Sequence, residues 1–221
     1  MLKFSKLSLL FLGLSLVLLS CGDDDDKKKT LKNQIKVDGK SFDFTKGYIV
    51  SEQVRNDEDV VVGSAHWIYL TGGDLEMEDN LVMTGEGPFL AMYIGSDDNN
   101  DLIAGEYEME FDEYDFGNVI YFDLYENFSL GIEDENVVEL YDAWYSGDTD
   151  GTITVAKSGD KHTFKVNLDD YYYMGSSDNE EEDEVLEKVT GYFSGELEEL
   201  TIEEEGPAKM SSMLRKAKRI K

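Results

Sequence analysis

Aromatic side chains are the residues of this sequence whose types and spacing best fit a ligand-contact site. Tyr141, Trp144 and Tyr145 lie beside a predicted Gly-Asp turn, and the run Tyr171-Tyr172-Tyr173 follows a predicted strand. Rings beside loops can stack on sugars or other ligands with an apolar face, while their hydroxyls hydrogen-bond. Three consecutive strand residues cannot all point inward, so we expect at least one of these tyrosines to be exposed. The alternative is that the rings pack a small barrel or pair across its strands.

Two further groups of side chains share a face if their segments are strands. Strict alternation puts Trp67 and Tyr69 on one side of their strand. The same rule puts Tyr121, Asp123 and Tyr125 on one side of theirs. These predictions concern placement and assign no chemistry.

Calcium is the one metal for which the sequence offers ligands. Asp148 and Asp150 precede Gly151, as oxygen ligands precede the sharp turn of a calcium loop. Read as an EF-hand, the loop would begin at Ser146 and end at Lys157, where Asp and a bidentate Glu are required. A glycine-containing β-turn is the alternative, so we expect no cofactor beyond weakly bound calcium.

The sequence gives no arrangement typical of catalysis. His66 and His162 are its two histidines, and neither lies in a metal-binding or nucleophile motif. Both are predicted to open strands. Acidic pairs of the kind that glycoside hydrolases use are unavoidable among 49 acidic residues and therefore carry little information. We expect a protein that is not an enzyme, with a glycoside-acting hydrolase as the less favoured alternative.

The N-terminal segment has the pattern of an export signal. Lys3 and Lys6 precede an apolar run at 7–19, which is shorter than the roughly 20 residues that a membrane span needs. The run ends in Leu18-Leu19-Ser20-Cys21, which resembles the lipobox of bacterial lipoproteins. The resemblance implies cleavage before Cys21 and lipid attachment to Cys21, the one cysteine of the chain. An ordinary cleaved signal with an incidental thiol is the alternative.

A charged tether follows the predicted lipid site. Four aspartates at 23–26 stand almost directly after Cys21, and three lysines follow them. This block resembles the export signal of Bacteroidota surface lipoproteins, which implies an outer membrane lipoprotein that faces the cell exterior. A solvated spacer on a periplasm-facing lipoprotein remains the alternative.

The charge of the chain limits its partners. With 20 basic and 49 acidic residues, the formal charge is −29. Nucleic acid is excluded as a partner, because binding to phosphates requires a basic face. We expect the membrane, through the N-terminal lipid, and a possible glycan or other extracellular ligand as partners; the oligomeric state is left open.

Period-two alternation of polar and apolar residues dominates the chain from residue 33 onward. Asp38-Gly39 separates two short alternating runs, which is the strongest short signal for a hairpin. Further strands are predicted at 47–54, 65–71, 88–94, 105–111, 118–125, 137–145, 151–156, 162–168 and 188–200. We predict an all-β fold, an antiparallel meander that forms an up-and-down barrel or a β-sandwich. The segments 178–187 and 206–221 are predicted not to be strands.

The strand and turn pattern also resembles a protein class. The segments 105–107, 150–164 and 189–197 repeat a Gly-Thr-apolar strand, a Ser-Gly-Asp turn and a closing Thr-Gly strand. This pattern resembles the all-β domains of Bacteroidota surface lipoproteins of uncharacterised function. The resemblance implies a location and a fold class and transfers no site residues.

Four segments make up the predicted chain: a lipoprotein signal peptide at 1–20, a lipid-anchored tether at 21–32, an all-β domain at 33–205 and a basic tail at 206–221. The tail carries six basic residues and no acidic one after Pro207, with apolar residues at helical spacing. It can form a short amphipathic helix that docks on the acidic domain, contacts anionic headgroups or serves a partner.

We therefore expect a lipid-anchored envelope domain that captures a ligand or a partner without catalysis. The alternative is a structural or envelope-accessory lipoprotein that has no small-molecule ligand.

Overall fold

The computed structural model describes residues 31–37, 39–109, 118–133, 136–146, 151–176 and 184–202. Within them the chain forms strands almost throughout, with one 3₁₀ turn at Asp79–Leu81. The strands in order are β1 Gln34–Val37, β2 Lys40–Asp43, β3 Lys46–Arg55, β4 Val61–Thr71, β5 Glu76–Glu78, β6 Val82–Thr84, β7 Gly87–Ser96, β8 Gly105–Met109, β9 Asn118–Glu133, β10 Asn136–Leu140, β11 Ala143–Ser146, β12 Gly151–Ser158, β13 Lys161–Gly175, β14 Glu184–Glu196 and β15 Glu198–Glu199.

The predicted hairpin at Asp38-Gly39 is confirmed. Val37 pairs with Lys40, which leaves a two-residue connection between β1 and β2. Gly39 has a φ of +79°, in the left-handed region that such a turn requires and that glycine adopts without strain.

The all-β fold is confirmed, and its main element is a curled mixed sheet that forms a half-barrel. The described strands follow the order β15-β3-β4-β7-β9-β8-β12-β13-β14-β1-β2, while β11 lies between β9 and β13. Most neighbours are antiparallel, as the predicted meander requires. Two contacts, β8 with β9 and β15 with β3, are parallel. Consecutive antiparallel pairs such as β3–β4, β12–β13 and β13–β14 fit the predicted meander, whereas β7–β9, β8–β12, β14–β1 and β15–β3 join strands that are not consecutive in the chain.

One segment links distant parts of the sheet. β14 pairs with β13 and β1, and the chain then continues into β15, which pairs with β3. The backbone N–H of Leu200 donates to the carbonyl of Ile49 at 2.9 Å and continues this contact. Side chains on the concave face of the curled sheet are thereby enclosed.

Two apolar clusters occupy the two faces of the sheet. The inner cluster fills the half-barrel with residues such as Ile68, Leu90, Phe122, Phe164 and Phe193, all at most 1% exposed. The outer cluster is rich in aromatic rings and lies on the convex face of β3, β4, β7, β9 and β11. Successive strand residues therefore alternate between two buried environments, which explains why β4 is apolar on both sides.

A small hairpin lies over the outer cluster. β5 and β6 pair with each other outside the main sheet, and their segment buries Leu75, Met77, Leu81 and Met83 in that cluster. The Tyr48 hydroxyl accepts a hydrogen bond from the backbone N–H of Met77 at 3.2 Å. This hairpin was absent from the strands predicted from sequence.

Other sequence predictions of element bounds differ from the structure. The strand predicted at 137–145 is two strands, β10 and β11, which pair with different parts of β9. Residues 184–187 belong to β14, although 178–187 was predicted to lack strands. The basic tail 206–221 lies outside the described residues.

Candidate ligand-contact surface

The short strand β11 sends its predicted contact residues to opposite faces of the sheet. Ala143 and Tyr145 are buried in the inner cluster, and Tyr145 is 4% exposed. Trp144 is half-buried and packs against the outer cluster, as does Tyr141 just before the strand. The three aromatic residues proposed from sequence therefore do not form one surface.

Tyr141 and Trp144 belong instead to a group of half-buried rings on the outer face, here called the aromatic patch. Its members come from β4, β7, β9, β11 and the segment before β11: Trp67, Tyr93, Tyr121, Tyr141 and Trp144. Register brings the first three together, because Trp67 pairs with Tyr93 and Tyr93 pairs with Tyr121.

The rings around Trp67 are tilted relative to it. Its ring centroid lies 4.5 Å from that of Tyr93, with an interplanar angle of 52°, and 5.8 Å from that of Tyr121, with an angle of 65°. On its other side Trp67 is nearly parallel to the buried Tyr69, at 6.4 Å and 8°. Trp67 therefore has angled neighbours on the patch side.

Buried aromatic residues support the patch from the rest of the outer face. Tyr69, Phe89, Tyr125 and Phe128 follow one another at centroid distances between 5.0 and 5.9 Å. Trp144 stacks on Tyr125 at 5.9 Å with an interplanar angle of 6°. Ring pairs at these distances attract each other, so the patch rests on a packed layer.

A carboxyl group lies among these rings. Asp123 is 0% exposed and stands between Tyr121 and Tyr125 on the outer face of β9. Both tyrosine hydroxyls donate to its Oδ2, Tyr125 at 3.2 Å. Its Oδ1 and the Trp144 Nε1 make no hydrogen bond of standard geometry, although Ser146 and Trp144 lie close enough to the carboxyl to favour its charged form. The sequence prediction that Tyr121, Asp123 and Tyr125 share a face is confirmed, as is that for Trp67 and Tyr69.

Burial has the largest effect on the pKa values of Asp123 and Tyr121. Burial raises the pKa of Asp123, although polar contacts from Ser146, Tyr121, Trp144 and Tyr125 act in the opposite direction. It also raises the pKa of Tyr121, where the Asp123 charge adds to the effect. The carboxyl therefore occupies a site that disfavours its charged form and has no cationic side chain in an ion pair with it among the described residues.

An exposed acid borders the patch at β3. Glu52 pairs with Ala65, two residues before Trp67. Its charge acts on the Tyr93 hydroxyl, whose pKa is raised to about 12 chiefly by burial and further by Glu52. Within the described residues, the charged groups that act on the hydroxyls of Tyr69, Tyr93 and Tyr121 are Glu52 and Asp123, and both are acidic.

A cavity lies near Tyr145. It is an open cavity of about 470 Å³, lined by Lys40, Ser41, Phe42, Asp43, Gly73, Pro88, Glu126 and Asn127. The Lys40 ammonium donates to Glu126 Oε2 at 3.0 Å and to the Tyr145 hydroxyl at 3.3 Å. Hydrogen bonding to Glu126 is the main reason why the pKa of Lys40 is raised. The lysine is therefore charged but already paired.

The sequence prediction that both histidines open strands holds for His162 but not for His66. His162 does stand near the start of β13, where it stacks on Phe164 at 6.4 Å. His66 lies in the middle of β4 and is 1% exposed. Because β4 begins at Val61, the prediction for His66 is wrong.

Hydrogen bonds determine the tautomer of His66. The Ser64 hydroxyl donates to the carbonyl oxygen of Asp98 at 2.7 Å, so it accepts from His66 Nε2–H at 2.8 Å. His66 Nδ1 then accepts from the exposed Ser51 hydroxyl at 2.9 Å. Burial lowers the pKa of His66 to about 4, against weaker opposing effects of Asp101 and Asp98. The imidazole is neutral at pH 7 and a weak base towards Ser51.

A scan against protein-family models gave no match, and searches of curated proteins and of solved structures gave none either. No helix in the described part of the chain is long and apolar enough to cross a bilayer. Among the described residues, His, Cys, Asp and Glu side chains form no group of three that could hold a metal ion.

The remaining residues proposed from sequence are described only in part. The backbone of Tyr171-Tyr172-Tyr173 lies in β13, paired with β14. Tyr172 and Tyr173 also pair with β11, opposite Ser146 and Tyr145. Cys21, Asp148 and Asp150 lie outside the described residues.

Sequence reasoning missed the role of Tyr93 and of Asp123 in this surface. Tyr93 lies in a predicted strand, but only the register of β7 against β4 and β9 places it beside Trp67. Alternation identified the face of Asp123, whereas its burial depends on neighbouring strands that alternation cannot specify.

Proposed function

We propose that this chain is a lipid-anchored capture or interaction module of the cell envelope, without catalysis, whose contact surface is the aromatic patch. In this proposal Cys21 carries the lipid and the β-domain faces the cell exterior. The ligand binds outside the membrane through ring contacts and hydrogen bonds.

The observation that carries the proposal is the half-buried state of five aromatic rings on one face of the sheet. Complete burial would explain such rings by packing alone, as it does for Tyr69 and Phe89, which are at most 2% exposed. Trp67, Tyr93 and Trp144 keep part of their surface accessible. Tyrosine and tryptophan are enriched at interfaces, because each gives a large contact area with few rotatable bonds.

The aromatic layer under the patch favours a ligand-binding role of the exposed rings over a role in packing alone. Trp144 is stacked on Tyr125, and Trp67 lies parallel to Tyr69. Rings held by buried neighbours lose little further rotamer entropy when a ligand arrives. The patch is thus ordered before binding, which suits a capture surface.

The acidity of the chain opposes an anionic partner. A formal charge of −29 repels nucleic acid and anionic lipid surfaces. It also keeps the domain solvated and away from an anionic bilayer while the lipid holds the chain there.

Arrays of glycans and small metabolites test the proposal, with the full chain in detergent as the probe. Tyr93→Ala removes a patch ring, and Tyr192→Ala removes a half-buried tyrosine from β14, away from the patch. We expect a ligand that binds the wild type and Tyr192→Ala at least about tenfold more tightly than Tyr93→Ala.

Two outcomes contradict the proposed function. If every bound ligand retains its affinity for Tyr93→Ala, the patch is not the contact surface. If nothing binds, the alternative of a structural lipoprotein is favoured. Membrane fractionation of Cys21→Ser tests the anchor separately, since a variant that stays in the membrane fraction contradicts lipid attachment at Cys21.

A further inference from the structure

We propose that the basic tail, residues 206–221, returns to the domain and adds an extended segment to the free edge of β2, in the cavity beside Lys40. This docking site is separate from the aromatic patch, because none of the patch rings lines the cavity. Four observations support the proposal: the outward-facing backbone of β2, the cavity against it, the reach of the tail and the charges of the two partners.

β2 is the last strand of the main sheet and, among the described residues, pairs with β1 alone. Two hydrogen bonds show which way its backbone groups face. The Phe44 N–H donates at 2.9 Å to the residue that precedes β1, whereas the Thr45 N–H donates at 2.8 Å to the last residue of β4 on the opposite side. Because this direction alternates along a strand, Ser41 and Asp43 face away from β1, as Thr45 does.

Part of this outward-facing backbone is available to another strand. The Asp43 carbonyl packs against Gly72, where a Cβ atom would lie 2.0 Å from the carbonyl oxygen. Within the described part of the chain, no group hydrogen-bonds to the N–H of Asp43 or to the N–H and C=O of Ser41. An uncovered strand edge is a template for pairing, and proteins commonly cover such edges.

The open cavity of about 470 Å³ lies directly against this edge. All four residues of β2, Lys40–Asp43, line it, and the rest of its lining is Gly73, Pro88, Glu126 and Asn127. Its volume lies in the range of ordinary ligand sites, which leaves room for a short extended peptide. An added strand gains main-chain hydrogen bonds from the edge, which is the common mode of peptide recognition by sheets.

The tail begins close enough to reach the cavity. Thr201, shortly before the tail, is held at the small hairpin, where its N–H donates to Asp79 Oδ1 at 2.8 Å. Asp79 follows Gly73 of the cavity lining by six residues, so the two are at most about 22 Å apart. The chain from 202 to 209 can span that distance if it is extended.

Charge favours the tail as the occupant. The tail carries six basic residues and no acidic one after Pro207. Two acidic residues, Asp43 and Glu126, line the cavity with one basic residue, Lys40, which is already paired with Glu126. Because the tail is joined to the domain by a short linker, its effective concentration at the cavity is in the millimolar range, which favours it over a free peptide. The docked tail would shield the β2 edge from pairing with other chains.

Amide hydrogen exchange of the full chain in detergent, compared with a variant that lacks residues 207–221, tests the proposal. We expect the Ser41 and Asp43 amides to exchange at least about tenfold faster in the deletion variant, because they lose their partner. The Phe42 and Phe44 amides face β1 and are the internal control. They should be equally protected in both proteins, which also checks that the variant is folded.

A synthetic peptide of residues 207–221 should bind the deletion variant and restore this protection. Ser41→Pro removes an outward-facing N–H that β1 does not use, and Ser41→Ala is the matched control that keeps it. In the deletion variant we expect the proline to weaken peptide binding at least about threefold and the alanine to leave it unchanged. A peptide with glutamine at all six basic positions should bind at least about fivefold more weakly.

Three outcomes overturn the inference. Equal exchange of the Ser41 and Asp43 amides in the full chain and the deletion variant shows that the tail does not cover the edge. Protection that increases with protein concentration assigns the edge to a second copy of the chain. Peptide binding that Ser41→Pro leaves unchanged places the tail elsewhere on the acidic domain. Ligand binding at the aromatic patch is decided separately, by the arrays and Tyr93→Ala.

Discussion

The buried imidazole of His66 makes the stability of the domain depend on pH in a way that can be calculated. Its pKa is about 4 in the folded chain and 6.5 when unperturbed. A pKa lowered by folding means that the unfolded chain binds the proton more tightly. Stability from this residue is therefore complete above about pH 6.5 and is lost as the pH falls towards 4.

The magnitude follows from the gap between the two pKa values. A difference of about 2.5 pH units, at roughly 1.4 kcal/mol each, gives about 3 kcal/mol in the limit of low pH. Most of this loss falls between pH 7 and pH 4.5. It is a large fraction of the stability of an ordinary domain, which is roughly 5–15 kcal/mol.

The perturbation is His66→Gln, and the assay is urea unfolding of both proteins at several pH values between 4.5 and 7.5. Carboxyl groups also titrate below pH 5, so the measured quantity is the difference in unfolding free energy between wild type and variant. Glutamine costs stability because it cannot replace both hydrogen bonds to Ser51 and Ser64, but it does not titrate. We expect the wild-type advantage at pH 7.5 to shrink by about 2–3 kcal/mol at pH 4.5.

A constant difference across this range would refute the argument, because His66 would then titrate alike in both states. His162→Gln is the comparison, since burial also lowers the pKa of this half-buried ring. It should show a trend of the same sign.

Three further predictions concern packing and charge. Asp123→Asn should gain stability relative to wild type as the pH rises above 3.8, because burial raises the pKa of the carboxyl; urea unfolding at pH 4 and pH 7 checks this, and a reversed trend contradicts it. Gly191→Ala should cost about 2 kcal/mol or more, since its Cβ would lie 2.3 Å from Ile35 Cδ1; Gly105→Ala, with 3.7 Å to its nearest neighbour, should cost less, and equal melting temperatures would contradict the packing argument. Lys40→Met should change the unfolding free energy by less than about 1 kcal/mol, because the lysine of this ion pair is 59% exposed; a larger loss would show that the cavity depends on the pair.

Local signals in the sequence predicted the parts of the fold that depend on neighbouring residues. Asp38-Gly39 predicted the first hairpin, because the turn chemistry is contained in two residues. Alternation placed Tyr121, Asp123 and Tyr125 on one face, because that placement depends only on their spacing along one strand. The β5–β6 hairpin was missed, since its strands have three residues each and are stabilised by burial against the outer face.

The site was less predictable than the fold because it depends on contacts between distant strands. Trp144 and Tyr145 are adjacent in sequence, yet one packs on the outer cluster and the other lies in the inner core. The patch combines rings from β4, β7, β9 and β11, and its composition follows from their register. Sequence alternation gives the face of each ring but does not identify its neighbour.

The most direct test of the central claim is a titration of the full chain with the ligand that the arrays identify, followed by tryptophan emission, with Tyr93→Ala and Tyr192→Ala measured alongside. Both tryptophans lie in the patch, so we expect a ligand that stacks on either ring to change the emission. We predict a saturable change in wild type and Tyr192→Ala that is lost or strongly weakened in Tyr93→Ala. A flat titration, or the same binding curve for all three proteins, would contradict the aromatic patch as the contact surface.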